Sequence, residues 1–287
     1  MVCKRDLEIV VLSDLHLGTY GCQAKEILKY LKSIEPKIII LNGDIIDIWQ
    51  FSKRYWPDSH MKVLRKLLKF ISEGVTVYYL TGNHDELLRK FDGMEIGNFH
   101  LQNKLVLEID GEKAWFFHGD IFDVTMQHSK WLAKLGSVGY DLLILINSCT
   151  NFFLNLIGRE KMSFSKKIKA QFKNAVKFIN NFENIAADLA IANDYSQVIC
   201  GHIHQPEIKE IKTAHGSVLY LNSGDWVENM TALEYRDKKW TLFKYEAKDF
   251  EIDIIEYGVL NDEENLKDKL NINIILKNLQ VELQNNV

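Results

Sequence analysis

A chain of 287 residues with 47% hydrophobic and 26% charged residues has the composition of an ordinary globular protein and can bury a full core. The net charge of -4 argues against a nucleic-acid partner, because nucleic-acid binders usually carry a basic excess. The four cysteines have no CxxC spacing, which argues against a zinc finger or a disulfide framework and favours reduced thiols in a cytoplasmic protein.

Two sequence features bear on export and on membranes. The N-terminus lacks the apolar run of a signal peptide. The longest uncharged run, residues 142–158, is too short and too polar to span a bilayer, although it could lie on a membrane surface.

Five short apolar runs predict buried strands. They lie at 8–13, 37–42, 75–80, 113–118 and 196–200. The first three runs are separated by segments whose apolar residues recur at helical spacing, so the chain opens with a βαβαβ pattern. Closely spaced strands between 217 and 245 predict a second, largely antiparallel sheet. Together these elements predict an α/β fold, a two-sheet sandwich flanked by helices.

Two segments interrupt or follow this pattern. Residues from about 125 to 192 contain helical patterns without a strand, which predicts an inserted helical cap. The main domain is expected to occupy residues 1–258, and residues 259–287 form a polar C-terminal tail.

Each predicted strand in the first part of the chain is followed directly by polar residues that can bind metals. These residues are Asp14, His16, Asp44, Asn83, His84, Asp85, His118, His202 and His204. The carboxyl ends of strands in an open α/β sheet meet at one crevice, where ligands bind. The sequence therefore predicts one shared site.

The spacing of these residues indicates the chemistry. Residues two apart in an extended segment point the same way, so Asp14 and His16 can reach one metal, as can His202 and His204. Mixed carboxylate and imidazole ligands suit manganese, iron or zinc. Asp44 lies between the two groups in sequence and could bridge two divalent ions, which together can bind a phosphoryl oxygen and hold an attacking hydroxide.

The blocks DLH, GD, GNHD, HGD and GHIH, in this order over about 200 residues, resemble the signature of the calcineurin-like metallophosphoesterases. The resemblance implies a four-layer αββα sandwich with two metal ions, most simply manganese. It assigns Asp14, His16, Asp44 and His204 to one metal, and Asp44, Asn83, His118 and His202 to the other. His84 would remain free to face the substrate, where it stabilises the transition state or protonates the leaving oxygen, oriented by Asp85.

Further features resemble the UDP-2,3-diacylglucosamine hydrolases. Trp49 ends the block GDIIDIW, a helical insertion separates HGD from GHIH, and SGDW at 223–226 follows the last core strand. This resemblance implies hydrolysis of a UDP-linked diacyl sugar to UMP and a lipid sugar phosphate in lipid A synthesis, with the acyl chains held by the cap. The alternatives are a phosphomonoesterase or nucleotide phosphodiesterase with a soluble substrate, and a non-catalytic scaffold of the same fold.

Candidate substrate contacts lie outside the metal-binding blocks. Arg54, Tyr55 and Trp56 could bind a phosphate or stack on a base or sugar, or they could form a plain loop. Asp225 and Trp226 are candidates for substrate binding or for support of the site from behind.

The predicted cap also bears on membrane contact. The uncharged run 142–158 is followed by a cluster of lysines, a combination suited to an anionic membrane surface. This pattern predicts a lipid-linked phosphoester substrate and peripheral contact with the inner face of the cytoplasmic membrane. The alternative is that the apolar face packs on the core while the lysines are solvated.

Overall fold

The computed structural model describes residues 4–48, 55–122, 179 and 181–254. Within these ranges, the unit that ends at Tyr245 contains two β-sheets. The strands are β1 (Arg5–Leu12), β2 (Ile34–Asn42), β3 (Thr76–Leu80), β4 (Met94–Ile96), β5 (Phe99–Gln102), β6 (Lys104–Ile109), β7 (Glu112–Phe117), β8 (Gln197–Cys200), β9 (Glu207–Thr213), β10 (Gly216–Asn222), β11 (Thr231–Arg236) and β12 (Lys239–Lys244).

The helices described in this unit are α1 (Ala24–Lys32), α2 (Asp58–Ser72) and the helical residues 181–192, here called α3. Short 3₁₀ helices lie at Glu86–Phe91 and Asp120–Phe122. A second unit begins at Glu246, and its described part contains a 3₁₀ helix at Ala247–Ile254. No helix in the described ranges is long and apolar enough to cross a membrane.

The first sheet has seven strands in the order β12-β11-β1-β2-β3-β5-β4. Strands β1, β2 and β3 pair in parallel, with helices α1 and α2 as their connections, which confirms the predicted βαβαβ opening. The buried residues of α1 are Ala24, Ile27, Tyr30 and Leu31, spaced three or four apart or adjacent along one face of the helix.

The second sheet has five strands in the order β6-β7-β8-β10-β9. Strands β7, β8 and β10 are parallel, while β6 and β9 pair at the edges in antiparallel fashion. Apolar residues from both sheets form the central core, among them Val11, Ile40, Phe116 and Leu221. The sheets therefore pack face to face.

Helix α3 covers the other face of the second sheet, where Phe182, Ala186 and Ala190 pack with Trp115 and Phe117. Helices α1 and α2 accompany the first sheet, so the layers are α, β, β and α, and the predicted fold class is confirmed. Residues 181–192, expected at the end of the cap, thus belong to an outer layer of the sandwich. The rest of the predicted cap and residues 259–287 lie outside the described residues.

One prediction about the sheets is wrong. Strands between 217 and 245 were expected to form the second sheet, but only β10 does so. Strand β11 pairs antiparallel with β1 in the first sheet, with Val11 opposite Leu233. The reason lies in its side chains: Leu233 enters the central core, while Glu234 faces α1 and accepts a hydrogen bond from Tyr30 Oη at 3.0 Å.

Candidate metal centre

The two sheets present the carboxyl ends of their parallel strands to one another. His118, after β7, donates from Nδ1 to the carbonyl of Asn42, at the end of β2, over 2.9 Å. The backbone amide of Gly201, after β8, donates to the carbonyl of His118 over 3.0 Å. The predicted convergence of the strand ends is therefore real, although it involves two sheets rather than one.

The loops after β1 and β2 are held together by backbone hydrogen bonds. The amide of Asp14 donates to Gly43 O, and the amide of His16 donates to Asp44 O, each over 3.0 Å. This pairing continues the parallel register of the strands into the loops. As a result, the carboxylates of Asp14 and Asp44 lie side by side, with 0% and 2% of their residue surface exposed.

Three overlapping groups of side chains could each hold a metal ion. They are Asp14 with His16 and His204, His16 with Asp44 and His84, and Asp44 with His118 and His202. Within each group the ligand atoms lie within 4.8 Å of one another. Asp44 is shared by two groups, and its Oδ2 lies 3.3 Å from His118 Nε2 and 4.0 Å from His16 Nε2.

Two buried atoms fit a metal better than they fit the surrounding protein. Asn83 Oδ1 and His118 Nε2 are buried and have no hydrogen-bond partner within the described structure. Because His118 Nδ1 donates to a backbone carbonyl, a neutral ring directs a lone pair from Nε2 into the site. An unpaired buried oxygen is costly unless an ion binds it, so Asn83 Oδ1 fits a predicted divalent ion. His118 Nε2 faces Asp44 Oδ2 at 3.3 Å, so these two side chains could share an ion.

The backbone at the site adopts an uncommon conformation. Five of the seven predicted metal ligands have a positive φ: Asp14 (53°), His16 (50°), Asp44 (54°), His202 (66°) and His204 (53°). Residues other than glycine seldom occupy this left-handed region, and strain of this kind concentrates at functional sites. The strain turns these side chains inward at the strand ends, toward a common point.

Glycines make room for the crowded side chains. A Cβ at Gly82 would overlap Asp44 Oδ1 and would lie 2.8 Å from His118 Cδ2. Gly43 has φ +83° and lies against the ring of His118. Both positions require a residue without a side chain.

In the metal-free protein, the carboxylates and imidazoles of the site shift one another's pKa values. Burial disfavours an ionised Asp14, but the nearby charges of His204 and His118 outweigh burial and lower the pKa of Asp14 to about 2. Burial likewise disfavours a charged His204, yet Asp14, whose Oδ1 lies 3.1 Å from His204 Nε2, raises the pKa of His204 to about 9. Metal binding near neutral pH must therefore displace a proton from His204.

His84 is not buried in the way that His118 is. Its side chain is 37% exposed, as is that of the predicted ligand His204, whereas the side chain of His118 is 0% exposed. Its Nδ1 lies 3.0 Å from Asp47 Oδ2, and its Nε2 lies 4.0 Å from Asp44 Oδ2. Burial lowers its affinity for a proton, but the hydrogen bond to Asp47 and the charge of Asp44 outweigh burial and raise the pKa of His84.

Asp47, not Asp85, contacts the His84 ring, so the predicted orienting role of Asp85 needs correction. The carboxylate of Asp85 is fully buried and accepts hydrogen bonds from the amides of Ile45 and Gly82 and from Tyr79 Oη. Ile45 follows Asp44 and Gly82 precedes Asn83. Asp85 therefore fixes the two loops that carry these ligands. Burial and the charge of Asp44 raise its pKa to about 6.

Replacing Asp85 by alanine is expected to destabilise the fold. The change leaves three buried donors without an acceptor, and each costs roughly 1 to 3 kcal/mol. Urea unfolding of the metal-free protein should show a loss of at least about 3 kcal/mol. The exposed Asp188→Ala is the control and should change stability by less than about 0.5 kcal/mol. An Asp85→Ala protein as stable as this control would contradict the assigned role.

Asp225 and Trp226 lie beneath the site instead of on a substrate surface. Both are fully buried. Asp225 accepts hydrogen bonds from the amides of Val227 and Glu228, and its Oδ2 lies 4.0 Å from His204 Nδ1. The Trp226 ring packs against Tyr30 at 5.3 Å. This burial does not fit the predicted contact with substrate, but it does fit support of the ligand loops.

The predicted substrate contacts near residue 55 are partly described. Arg54 lies outside the described residues. The Tyr55 ring packs against the ring of Tyr20, with centroids 3.8 Å apart and planes tilted by 32°, and Tyr20 is 84% exposed. Trp56 borders Gly18, whose amide donates to His60 Nδ1 over 2.8 Å.

Tyr20, His60 and Asp47 were not among the predicted site residues. Tyr20 and His60 both lie outside the metal-binding blocks. Tyr20 belongs to the loop that carries His16, whereas only the fold brings His60, in α2, against that loop. Asp47 could have been identified from the sequence, because it follows Asp44 by three residues in the same block, GDIID.

Comparisons with known proteins agree with this geometry. Residues 7–206 match the family model of the calcineurin-like phosphoesterases. The UDP-2,3-diacylglucosamine hydrolase of Aliivibrio fischeri (strain MJ11) is 24% identical over 247 residues, covering 84% of this chain and 100% of that protein. The enzyme of the same name from Blochmanniella pennsylvanica (strain BPEN) is 24% identical over 251 residues, covering 81% of this chain and 93% of that protein.

Among solved structures, an archaeal phosphodiesterase is 14% identical, with a TM-score of 0.40, and the match covers 83% of this chain and 99% of that one. The family model spans more than half of the chain, and all five motif blocks fall within it. The chain therefore belongs to the calcineurin-like phosphoesterase family and is a metal-dependent phosphoesterase.

Proposed function

We propose that the enzyme hydrolyses the pyrophosphate bond of a UDP-linked acylated sugar, releasing UMP and a lipid sugar phosphate, with two manganese ions as cofactors. The observation that carries the reaction class is the shared position of Asp44 between two groups of metal-binding side chains. The names of the relatives support the substrate class, because several are UDP-2,3-diacylglucosamine hydrolases.

The described residues suggest separate roles for the metal ligands and for His84. The bound ions would be held by Asp14, His16, Asp44, Asn83, His118, His202 and His204, and they supply Lewis-acid chemistry that neutralises charge on the phosphoryl group. His84 is partly exposed and its ring contacts Asp47, which is not a predicted metal ligand, so His84 can meet the substrate. The hydrogen bond to Asp47 raises the pKa of His84 and so favours the protonated ring, which can protonate the leaving oxygen while Asp47 holds its orientation.

A nucleotide substrate is also compatible with the aromatic surface beside the His16 loop. Tyr20 packs against Tyr55 and keeps most of its surface exposed. Stacking of a base on an aromatic side chain contributes roughly 1 to 3 kcal/mol. We therefore place the uracil at this pair, with Arg54 and Trp56 as further candidate contacts.

The proposed location is the cytoplasm, at the inner face of the cytoplasmic membrane. The support for membrane contact is the pattern of an uncharged run at 142–158 followed by lysines. A lipid-linked substrate would be met at such a surface.

A substrate comparison tests the proposal. Turnover of UDP-2,3-diacylglucosamine, UDP-glucose and bis-p-nitrophenyl phosphate should be measured with manganese present. A lipid hydrolase is expected to prefer the acylated compound by roughly 100-fold or more in kcat/KM, since only that substrate uses the remote binding energy of its acyl chains. Equal or better turnover of a soluble ester would favour the alternative, a soluble phosphomonoester or nucleotide phosphodiester as the natural substrate.

A further inference from the structure

A buried histidine outside the metal-binding blocks lies against the loop that carries His16. His60 is in the first turn of α2, and only 2% of its surface is exposed. Its Nδ1 accepts a hydrogen bond from the backbone amide of Gly18 over 2.8 Å. An acceptor nitrogen requires a neutral ring with its proton on Nε2. Burial lowers the pKa of His60 to about 4, so the ring is neutral near pH 7 and Nδ1 keeps its lone pair.

Two aromatic rings orient the imidazole of His60. The ring of Tyr55 lies edge-on to it, with centroids 5.9 Å apart and planes at 90°. The ring of Trp56 lies 5.7 Å away, with planes at 74°. Edge-to-face contacts of this kind are favourable and depend on the angle between the rings. The acceptor nitrogen is therefore held toward Gly18 by the start of α2 and the segment before it.

The turn that His60 binds contains a predicted metal ligand. The carbonyl of His16 accepts hydrogen bonds from the amide of Thr19 over 3.1 Å and from Thr19 Oγ1 over 2.9 Å. Gly18 lies inside this turn, so the hydrogen bond to His60 reaches the backbone of the turn directly. A shift of the Gly18 amide would move the backbone that places the His16 ring.

The same turn also contacts the loop that carries Asp47. The amide of Asp47 donates to the carbonyl of Leu17 over 2.9 Å. A Cβ added to Gly18 would lie 3.5 Å from the Asp47 carbonyl oxygen, so the two backbones are in close contact. Asp47 Oδ2 in turn lies 3.0 Å from His84 Nδ1. One turn therefore joins His60 both to a predicted ligand and to the residue that contacts His84.

We propose that His60 is a positioning residue for phosphoester hydrolysis. Through the Gly18 amide, it fixes the turn that carries His16. Through the same turn it fixes Asp47, whose carboxylate contacts His84. The inference rests on the roles proposed above for His16 and His84, but it does not depend on the natural substrate. Residues that hold metal ligands in place typically contribute about 10- to 100-fold to metal affinity or activity.

Two substitutions that differ in the position of an amide oxygen test this role. His60→Asn places its Oδ1 near the position of Nδ1, where it can accept from Gly18, whereas the longer side chain in His60→Gln carries its amide past that position. His60→Gln should lower kcat for bis-p-nitrophenyl phosphate, or raise the manganese concentration needed for half-maximal activity, by roughly 10-fold or more. His60→Asn should restore both quantities to within about 3-fold of the wild-type enzyme. KM should stay unchanged in both variants.

The matched control is His100→Gln. The His100 ring stacks on Tyr78, with centroids 4.9 Å apart, and neither residue belongs to the site. This variant should keep the kcat and the manganese requirement of the wild-type enzyme. Urea unfolding of all variants measures the loss of stability separately from the loss of turnover.

A measurement on the unsubstituted enzyme tests the hydrogen bond itself. Nitrogen NMR at pH 7 should show that Nδ1 of His60 carries no proton and that Nε2 does, as an acceptor role for Nδ1 requires. A proton on Nδ1 would overturn the inference, and this readout does not depend on how well any variant folds.

The kinetic outcomes separate a positioning role from a packing role. Lower stability in His60→Gln with unchanged kcat and manganese requirement would overturn the inference, since packing alone would explain it. Equal losses of activity in His60→Asn and His60→Gln would also overturn it. Failure of the wild-type enzyme to hydrolyse UDP-2,3-diacylglucosamine would overturn the proposed substrate instead, whatever the His60 variants show.

Discussion

Replacing Asp44 by alanine is expected to lower phosphoester hydrolysis by roughly 10⁴-fold or more, since residues that act as one unit lose nearly all activity together. Asp44 is shared by two of the three candidate metal-binding groups, so its loss removes a ligand from both. Its Oδ1 also accepts a hydrogen bond from the amide of His84 over 2.8 Å, which ties the two loops together. Metal content and turnover should therefore fall together.

The experiment pairs elemental analysis with steady-state kinetics on the purified variant. Asp188→Ala, an exposed carboxylate on α3, is the control and should keep both metal and activity. Full metal-dependent turnover in the Asp44→Ala variant would contradict the proposed role of Asp44 as a shared metal ligand.

Replacing His84 by glutamine is expected to slow turnover by roughly 10² to 10⁴-fold, the usual contribution of general acid–base catalysis. Metal content should remain near that of the wild-type enzyme, because His84 is not one of the seven predicted ligands, and all of those stay in place. The loss should be smaller for p-nitrophenyl esters, since their leaving group departs without a proton.

The pH dependence gives a second test of His84. A general acid must carry its proton, so wild-type activity should fall as pH rises through the raised pKa of His84. This fall should disappear in His84→Gln. Asp47→Asn should keep the fall but move it to lower pH, because the hydrogen bond to Asp47 raises the pKa of His84. Equal losses on all esters with an unchanged pH profile would contradict the assignment.

Much of the fold could be predicted from local sequence pattern. Strands buried on both faces are continuous apolar runs, and β1, β2, β3, β7 and β8 all appear within a few residues of the predicted bounds. The strand with which each strand pairs could not be predicted in this way, because pairing depends on contacts between residues far apart in sequence. Strand β11 joins the first sheet since Leu233 fills the central core, and no local pattern reveals that choice.

The metal ligands could be predicted because they belong to short blocks that follow strands. The geometry brings together all six acidic and histidine ligands in overlapping groups, and Asn83 has an unpaired buried oxygen. The residues that hold the site residues in place were harder to predict. Asp85 is adjacent to His84 in sequence, yet its carboxylate turns to the amides of Ile45 and Gly82, whereas Asp47 reaches the ring from another loop.

Burial explains the other discrepancy. Trp226 follows a strand end and has the chemistry of a stacking residue, but its ring packs on Tyr30 in the core. Tyr20, with a less conspicuous sequence context, is an exposed aromatic side chain in the loop that carries His16. Sequence supplies the residue types, whereas side-chain direction follows from the packing of the loops.

The central claim, a dinuclear centre built around Asp44, is tested most directly by titrating the metal-free enzyme with manganese while its activity is followed. The account predicts two ions bound per chain, with hydrolysis appearing as the second site fills. A single bound ion at full activity, or undiminished turnover in the presence of excess chelator, would contradict it.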